Sequence, residues 1–195
     1  MSKAKTLNEQ ELNKLLNYFR DTNRPERNRM MTLFSYWGGM RVGEIASLKV
    51  KDILNEDNSV KGQINLKAHQ TKGNKERVVH LPTKLIHELE IYVKQQSLQW
   101  FSLREKPLFQ PTDPKGGDKD IHFTADSLTH RFKYFYKKAG ISNGSSHSGR
   151  RTYITNLAEK GIGARVIQSL AGHSSLRTTQ EYIDINDEML KKAIE

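Results

Sequence analysis

The sequence predicts an α+β domain that is mostly helical and holds a small three-stranded antiparallel sheet. Three observations carry that expectation. Apolar residues recur at helical spacing in most segments, as Leu12, Leu15, Leu16 and Phe19 do. Between residues 50 and 81 the period shortens, and Ile64, Leu66 and Ala68 alternate with polar neighbours as a half-buried strand does. Glycine and proline fall mainly at the joints between these segments. The chain has 195 residues, which suits one domain, and its hydrophobic residues, 35% of the total, cluster enough to build a core.

Taken in order, Thr6-Leu7-Asn8-Glu9 reads as a capping box opening a first helix. Pro25 suits the first turn of a second helix, in which Met30, Leu33, Phe34 and Trp37 share a face, and Gly38-Gly39 ends it. A short helix resumes from Val42 to Leu48. Three strands follow, over Val50–Ile53, Gln63–Ala68 and Arg77–Leu81, with Gly73-Asn74 as a hairpin turn between the last two and Pro82 closing the sheet. Leu85 to Gln96 returns to helical spacing, and residues 106–120 read as a long loop. Leu128, Phe132 and Phe135 mark a helix stopped by Gly140. Further helices fit His147–Lys160, Ala164–Leu170, Thr178–Ile183 and Asn186–Ile194.

The formal net charge of +10 points to a polyanionic partner, most often nucleic acid, with a merely basic surface as the alternative. The chain has no cysteine, which excludes disulfides, thiolate nucleophiles and zinc–thiolate sites. The opening MSKAKTLNEQEL has no apolar run behind its lysines, and no stretch approaches the length of a membrane span. The expected setting is a reducing cytoplasm, with no membrane partner.

Four places hold groups that could carry chemistry, and each also has a plain structural reading. In GGMRVGEIASL, Arg41 and Glu44 sit three apart and share a helical face, as a surface ion pair also would. In QTKGNKERVV, Lys72 precedes the turn, with Lys75 and Arg77 after it. Such lysines are either solvated or lie against DNA phosphates. In SSHSGRRTYIT, His147 and Arg150 project to one side at a helix start, where free N–H groups favour phosphate; the alternative is a capped, solvated start. In AGHSSLRTTQEYI, Gly172 reads as a helix C-cap that leaves His173 on a loop. Tyr182 is either a half-buried aromatic or a nucleophile helped by nearby cations. No metal-ligand spacing, P-loop, dinucleotide fingerprint or G-x-S-x-G elbow is found, so neither metal nor cofactor is expected.

In this order the pieces resemble the catalytic domain of the tyrosine recombinases, the phage-integrase family. The family signature is an arginine, a hairpin lysine, His-x-x-Arg, a histidine or tryptophan, and a tyrosine. Those positions read Arg41, Lys72, His147, Arg150, His173 and Tyr182, and the resemblance covers the chain from about Thr6 to its C-terminus. Two motifs depart from the common pattern: Gly38-Gly39-Met40-Arg41 stands for Thr-Gly-Leu-Arg, and Gly149-Arg150-Arg151 for Leu-Arg-His. Neither removes a catalytic group. Most members also carry an N-terminal helical DNA-binding domain, whereas here the catalytic domain starts almost at Met1. The expectation is one catalytic domain over residues 1–195, as a fragment or as a short recombinase like those of fimbrial phase switches.

The resemblance implies metal-independent cleavage of one strand of double-stranded DNA, with Tyr182 forming a 3′-phosphotyrosyl link. Arg41, Arg150 and His173 would hold the phosphate oxygens, Lys72 would protonate the leaving 5′ oxygen, and His147 would accept the tyrosine proton. Lys75, Arg77, Arg151 and Arg177 are the expected DNA contacts. The tail IDINDEMLKKAIE either packs on its own domain or, as the family implies, docks on a neighbour in a homotetramer on DNA. A non-catalytic DNA-binding regulator and a type IB topoisomerase-like enzyme are the competing readings.

Overall fold

The computed structural model describes residues 4–96, 101–111 and 122–183. The first helix, α1 (Glu9–Phe19), is capped by Asn8, whose side chain accepts the Glu11 N–H at 2.8 Å while the Glu11 carboxylate accepts the Asn8 N–H at 3.2 Å. The capping box therefore lies two residues after the one expected at Thr6. Leu12, Leu15 and Phe19 are buried as their spacing requires. The next helix, α2 (Pro25–Tyr36), begins on its proline and is buried on nearly every side. It packs against α1 and against three later helices, α3 (Val42–Ala46), α5 (Thr83–Lys94) and α7 (Ser148–Glu159).

Val50–Ile53, expected as a strand, is instead a helical turn, α4. Its β-branched residues suit a strand, but the Asp52 carboxylate accepts the Lys49 N–H at 2.9 Å and caps the turn. The sheet accordingly has two strands among the described residues, β1 (Gln63–Leu66) and β2 (Arg77–His80). They run antiparallel, with Gln63 opposite His80 and Leu66 opposite Arg77. Isolated bridges at Leu54 with Val60 and at Lys49 with Pro107 extend the pairing beyond them. Nor is the connection a two-residue hairpin at Gly73-Asn74. Residues 67–76 form a longer loop with a 3-10 turn at Ala68–Gln70, and the Thr71 hydroxyl closes its tip by accepting the Lys75 N–H at 3.2 Å and donating to the Lys75 carbonyl at 2.8 Å.

The remaining helices are α6 (Ala125–Lys138), α8 (Ala164–Ala171) and α9 (Leu176–Gln180). Gly140 and Gly172 follow α6 and α8 with φ of +66° and +63°, as helix stops do. One large apolar core spans α1 to α6 and the sheet. A second, small cluster of Ile154, Ala158, Ile167 and Ala171 joins α7 to α8, and Tyr153, Leu157, Tyr182 and Ile183 pack on it. Part of the expected loop at 106–120 and the whole expected helix at Asn186–Ile194 lie outside the described residues. No helix among the described residues is long and apolar enough to cross a membrane.

Candidate active site

Arg41 stands at the N-terminal end of α3, where the Glu44 carboxylate accepts both its backbone N–H and its Nη1, each at 2.8 Å. This is not a surface pair, because Glu44 is only 1% exposed. The other arm of the Arg41 guanidinium donates to the Gly172 carbonyl at 3.0 Å. Arg150 enters from the first turn of α7. It is 4% exposed and donates to the Gly39 and Ala171 carbonyls, both at 2.6 Å. Its depth follows from Gly149, where a Cβ would meet the Ser35 hydroxyl at 2.6 Å, so only glycine lets α7 approach α2 this closely. Arg77 also donates to the Ala171 carbonyl, at 2.5 Å, and lies 3.4 Å from Glu44.

Three guanidinium groups thus meet the last turn of α8. That end of a helix presents carbonyls with no intrahelical partner and a partial negative charge, which cations favour. The residue after this turn is His173. Its Nδ1 lies 3.0 Å from the Thr179 hydroxyl, and its ring stacks on Tyr182 with centroids 5.6 Å apart and planes 25° apart. The Arg151 guanidinium lies over the other aromatic partner, 5.5 Å from the centre of the Tyr182 ring. Tyr182 itself is half-buried on the small cluster of its own domain.

The electrostatics tie these groups together. Burial pushes the Arg150 guanidinium down to about 9, with Arg41 and Arg77 adding to the shift and Glu44 and Tyr182 opposing it, so it remains charged at neutral pH. Burial is also the first cause that lowers His173 to about 4, followed by Arg150, Arg41 and Arg77. His147, at the N-terminal end of α7, is lowered by partial burial and then by Arg150, Lys72 and Arg41. Lys72 sits exposed on the 67–76 loop, but its charge is felt at His147. Arg41, Lys72, Arg77 and His173 line a common cleft of about 530 Å³.

The His173 shift has a measurable consequence. A histidine lowered by its fold is neutral there while the unfolded chain, near 6.5, takes up protons first. Folding stability is therefore expected to fall as pH drops from about 6.5 towards 4, and the effect is absent above 6.5. NMR titration of the His173 ring checks this. A midpoint well below 6.5 is expected, and a midpoint at or above 6.5 contradicts it.

Of the six signature positions, Arg41, Arg150, His173 and Tyr182 meet at the end of α8, His147 stands at the start of α7 within the field of Arg150, and Lys72 lines the cleft from its exposed loop. The expected DNA contacts divide. Lys75 and Arg177 are exposed, on the loop and on α9. Arg77 and Arg151 are buried, Arg77 against the end of α8 and Arg151 over the Tyr182 ring. The alternation of β2 carried the sign: Arg77 shares a face with buried Val79. Likewise Arg151 lies three residues before buried Ile154 on α7. The sequence reading also missed the depth of Glu44 and the role of Thr179, a fully buried hydroxyl beside His173.

The model of the phage integrase family matches residues 5–189. This chain belongs to the phage integrase family. Tyrosine recombinase XerA from Pyrococcus furiosus is 32% identical over 195 residues, which cover 98% of this chain and 61% of that protein. A crystal structure of XerA recombinase superposes with a TM-score of 0.70 at 24% identity, over 99% of this chain and 65% of the other. A post-cleavage complex of XerH recombinase with palindromic difH substrate gives a TM-score of 0.64 at 27% identity, over 97% of this chain and 51% of the other. The chain therefore spans about three fifths of the length of the curated relatives it matches, 61% in that first case. The mostly helical fold with a small antiparallel sheet is the one these family structures share.

Proposed function

We propose that the chain is the catalytic domain of a site-specific DNA recombinase that cuts and rejoins duplex DNA through a covalent bond to Tyr182. The observation that carries this reading is the convergence on one turn. Arg41, Arg77 and Arg150 all donate to the carbonyls of Ala171 and Gly172, and the next residue, His173, stacks on Tyr182. A cationic cluster beside a tyrosine suits attack on a phosphodiester, where negative charge grows on the non-bridging oxygens.

In the proposed step the Tyr182 oxygen attacks the scissile phosphorus, its proton passes to His147, and the bond from phosphorus to the 5′ oxygen breaks. Lys72 protonates that oxygen, which leaves as a 5′-hydroxyl. The depressed pKa of His147 fits this role, because the ring is neutral and able to accept at pH 7. Arg41 and Arg150 offer fixed donor forks to the oxygens. His173 adds a donor through Nε2 if its Nδ1 accepts from Thr179, and its neutral state at pH 7 allows that tautomer. The 3′-phosphotyrosyl link keeps the bond energy, so a 5′-hydroxyl from a partner strand can reverse the step without a cofactor.

Two features extend the proposal. Tyr182 packs on the small cluster of its own domain, which supports attack by the same protomer that holds the arginines. The tail beyond Asn186 lies outside the described residues, and its docking on a neighbour in a homotetramer on double-stranded DNA is part of the same reading. The net charge of +10 supports the DNA partner through phosphate contacts at exposed cations such as Lys75 and Arg177.

A nicked suicide duplex incubated with the protein in EDTA tests the reading. The expected result is a protein–DNA adduct that survives denaturation. DNA binding with no adduct supports a regulator, and cleavage only with added Mg²⁺ supports a metal nuclease. Relaxation of supercoiled DNA with no strand exchange between two sites supports a topoisomerase-like enzyme.

A further inference from the structure

Arg77 is an unusual residue for the interior. Its guanidinium is buried where β2 meets α8, and among the described residues only its Nη1 finds partners, at Ala171 and Glu44. Its Nε and Nη2 are buried without a hydrogen-bond partner among the described residues. A buried cation with unpaired donors costs stability, and a methionine or leucine of similar size would fill the space without that cost. Packing alone therefore does not account for an arginine here.

Its surroundings suggest what the arginine does. The Arg77 side chain presses on Gly172, where a Cβ would stand 2.5 Å from its Cδ and where φ is +63°. The Ala171 carbonyl accepts from Arg77 and Arg150 together, so its two lone pairs hold the two guanidiniums side by side. The Glu44 carboxylate, which accepts from Arg41 at 2.8 Å and lies 3.4 Å from Arg77, offsets the repulsion between those two charges. We infer that Arg77 is a positioning residue for strand cleavage: it clamps the last turn of α8 to β2 and Glu44, and so keeps Arg41, Arg150 and His173 aimed at one phosphate. This inference rests on the recombinase reading and assigns Arg77 a role inside the site instead of at the DNA surface. The depression of His173 by Arg77 is consistent with their closeness.

Chemical rescue tests it. Arg77→Ala leaves a cavity that methylguanidinium can enter from the cleft, while Arg77→Lys keeps the charge but ends one atom short of the Nη1 position that contacts both Ala171 and Glu44. In single-turnover cleavage of nicked duplex, Arg77→Ala is expected to fall on the order of 100-fold, the effect of a small misalignment of reacting groups. Duplex affinity stays close to wild type, the melting temperature falls but remains above the assay temperature, millimolar methylguanidinium restores part of the rate, and Arg77→Lys recovers little of it. The Gly172 and His173 amides, which donate to Ser169 and Gln168 in the parent, exchange faster in Arg77→Ala and slow again with methylguanidinium. A wild-type cleavage rate in Arg77→Ala overturns the inference. So does a loss of rate that tracks unfolding and resists rescue. Unchanged amide exchange overturns it even if the parent protein forms no adduct, an outcome that by itself would defeat the recombinase reading instead.

Discussion

Tyr182→Phe abolishes the covalent protein–DNA adduct and leaves duplex affinity within about twofold, since phosphate contacts carry most of that affinity. The substitution removes one oxygen and keeps the ring. The stacking on His173 at 5.6 Å, the Arg151 cation over the ring and the packing on the Ile154–Ala171 cluster all depend on the ring alone. The fold and the cationic cluster therefore persist, and only the nucleophile is lost. Gel separation of denatured protein–DNA products, with a filter-binding affinity measured alongside, reads both quantities. An adduct that persists in the Phe variant assigns the nucleophile elsewhere.

Arg150→Ala lowers single-turnover cleavage by about 10³-fold or more, the scale on which isolated transition-state donors act in phosphoryl and acyl transfer. Two losses coincide in this variant. The cluster loses one of its two proposed phosphate forks, and the Gly39 and Ala171 carbonyls lose a charged donor at 2.6 Å. The side chain is 4% exposed, so truncation also leaves a cavity and lowers stability. Arg150→Lys separates the effects. It refills much of the space and keeps a charge, but an ammonium cannot span both carbonyls and a phosphate. A folded Lys variant with a wild-type rate removes Arg150 from the proposed chemistry.

Much of the fold was legible because its signals are local. Pro25 opens α2, Gly140 and Gly172 stop α6 and α8, and the apolar spacing of Leu12, Leu15 and Phe19 marks the buried face of α1. Each depends on the conformational limits of a residue or on a helical repeat of a few positions. The misreadings came where a nearby group overrode propensity. At Val50–Ile53 the shortened period suggested a strand, but the Asp52 cap made a helical turn. At Gly73-Asn74 the pair suggested a tight hairpin, but the Thr71 hydroxyl closed a wider loop.

For the site, the sequence by itself determined which reactive residue types are present and on which elements they ride. Arg41 precedes a short helix, His147 and Arg150 share the start of another, and His173 follows a glycine stop before Tyr182. Local spacing hinted at which charges turn inward, and the tertiary structure decided it. Arg77 and Arg151 resemble surface cations in a basic chain, yet both are buried. It also decided that Arg41 would reach the carbonyl of Gly172, 131 positions away. The physical reason is range. Caps and periodicity act over a turn or two of chain, whereas the cluster forms only when the packing of α2, α7 and α8 brings their ends together. Those ends then satisfy one another, the carbonyls of α8 with the guanidiniums of Arg41, Arg77 and Arg150.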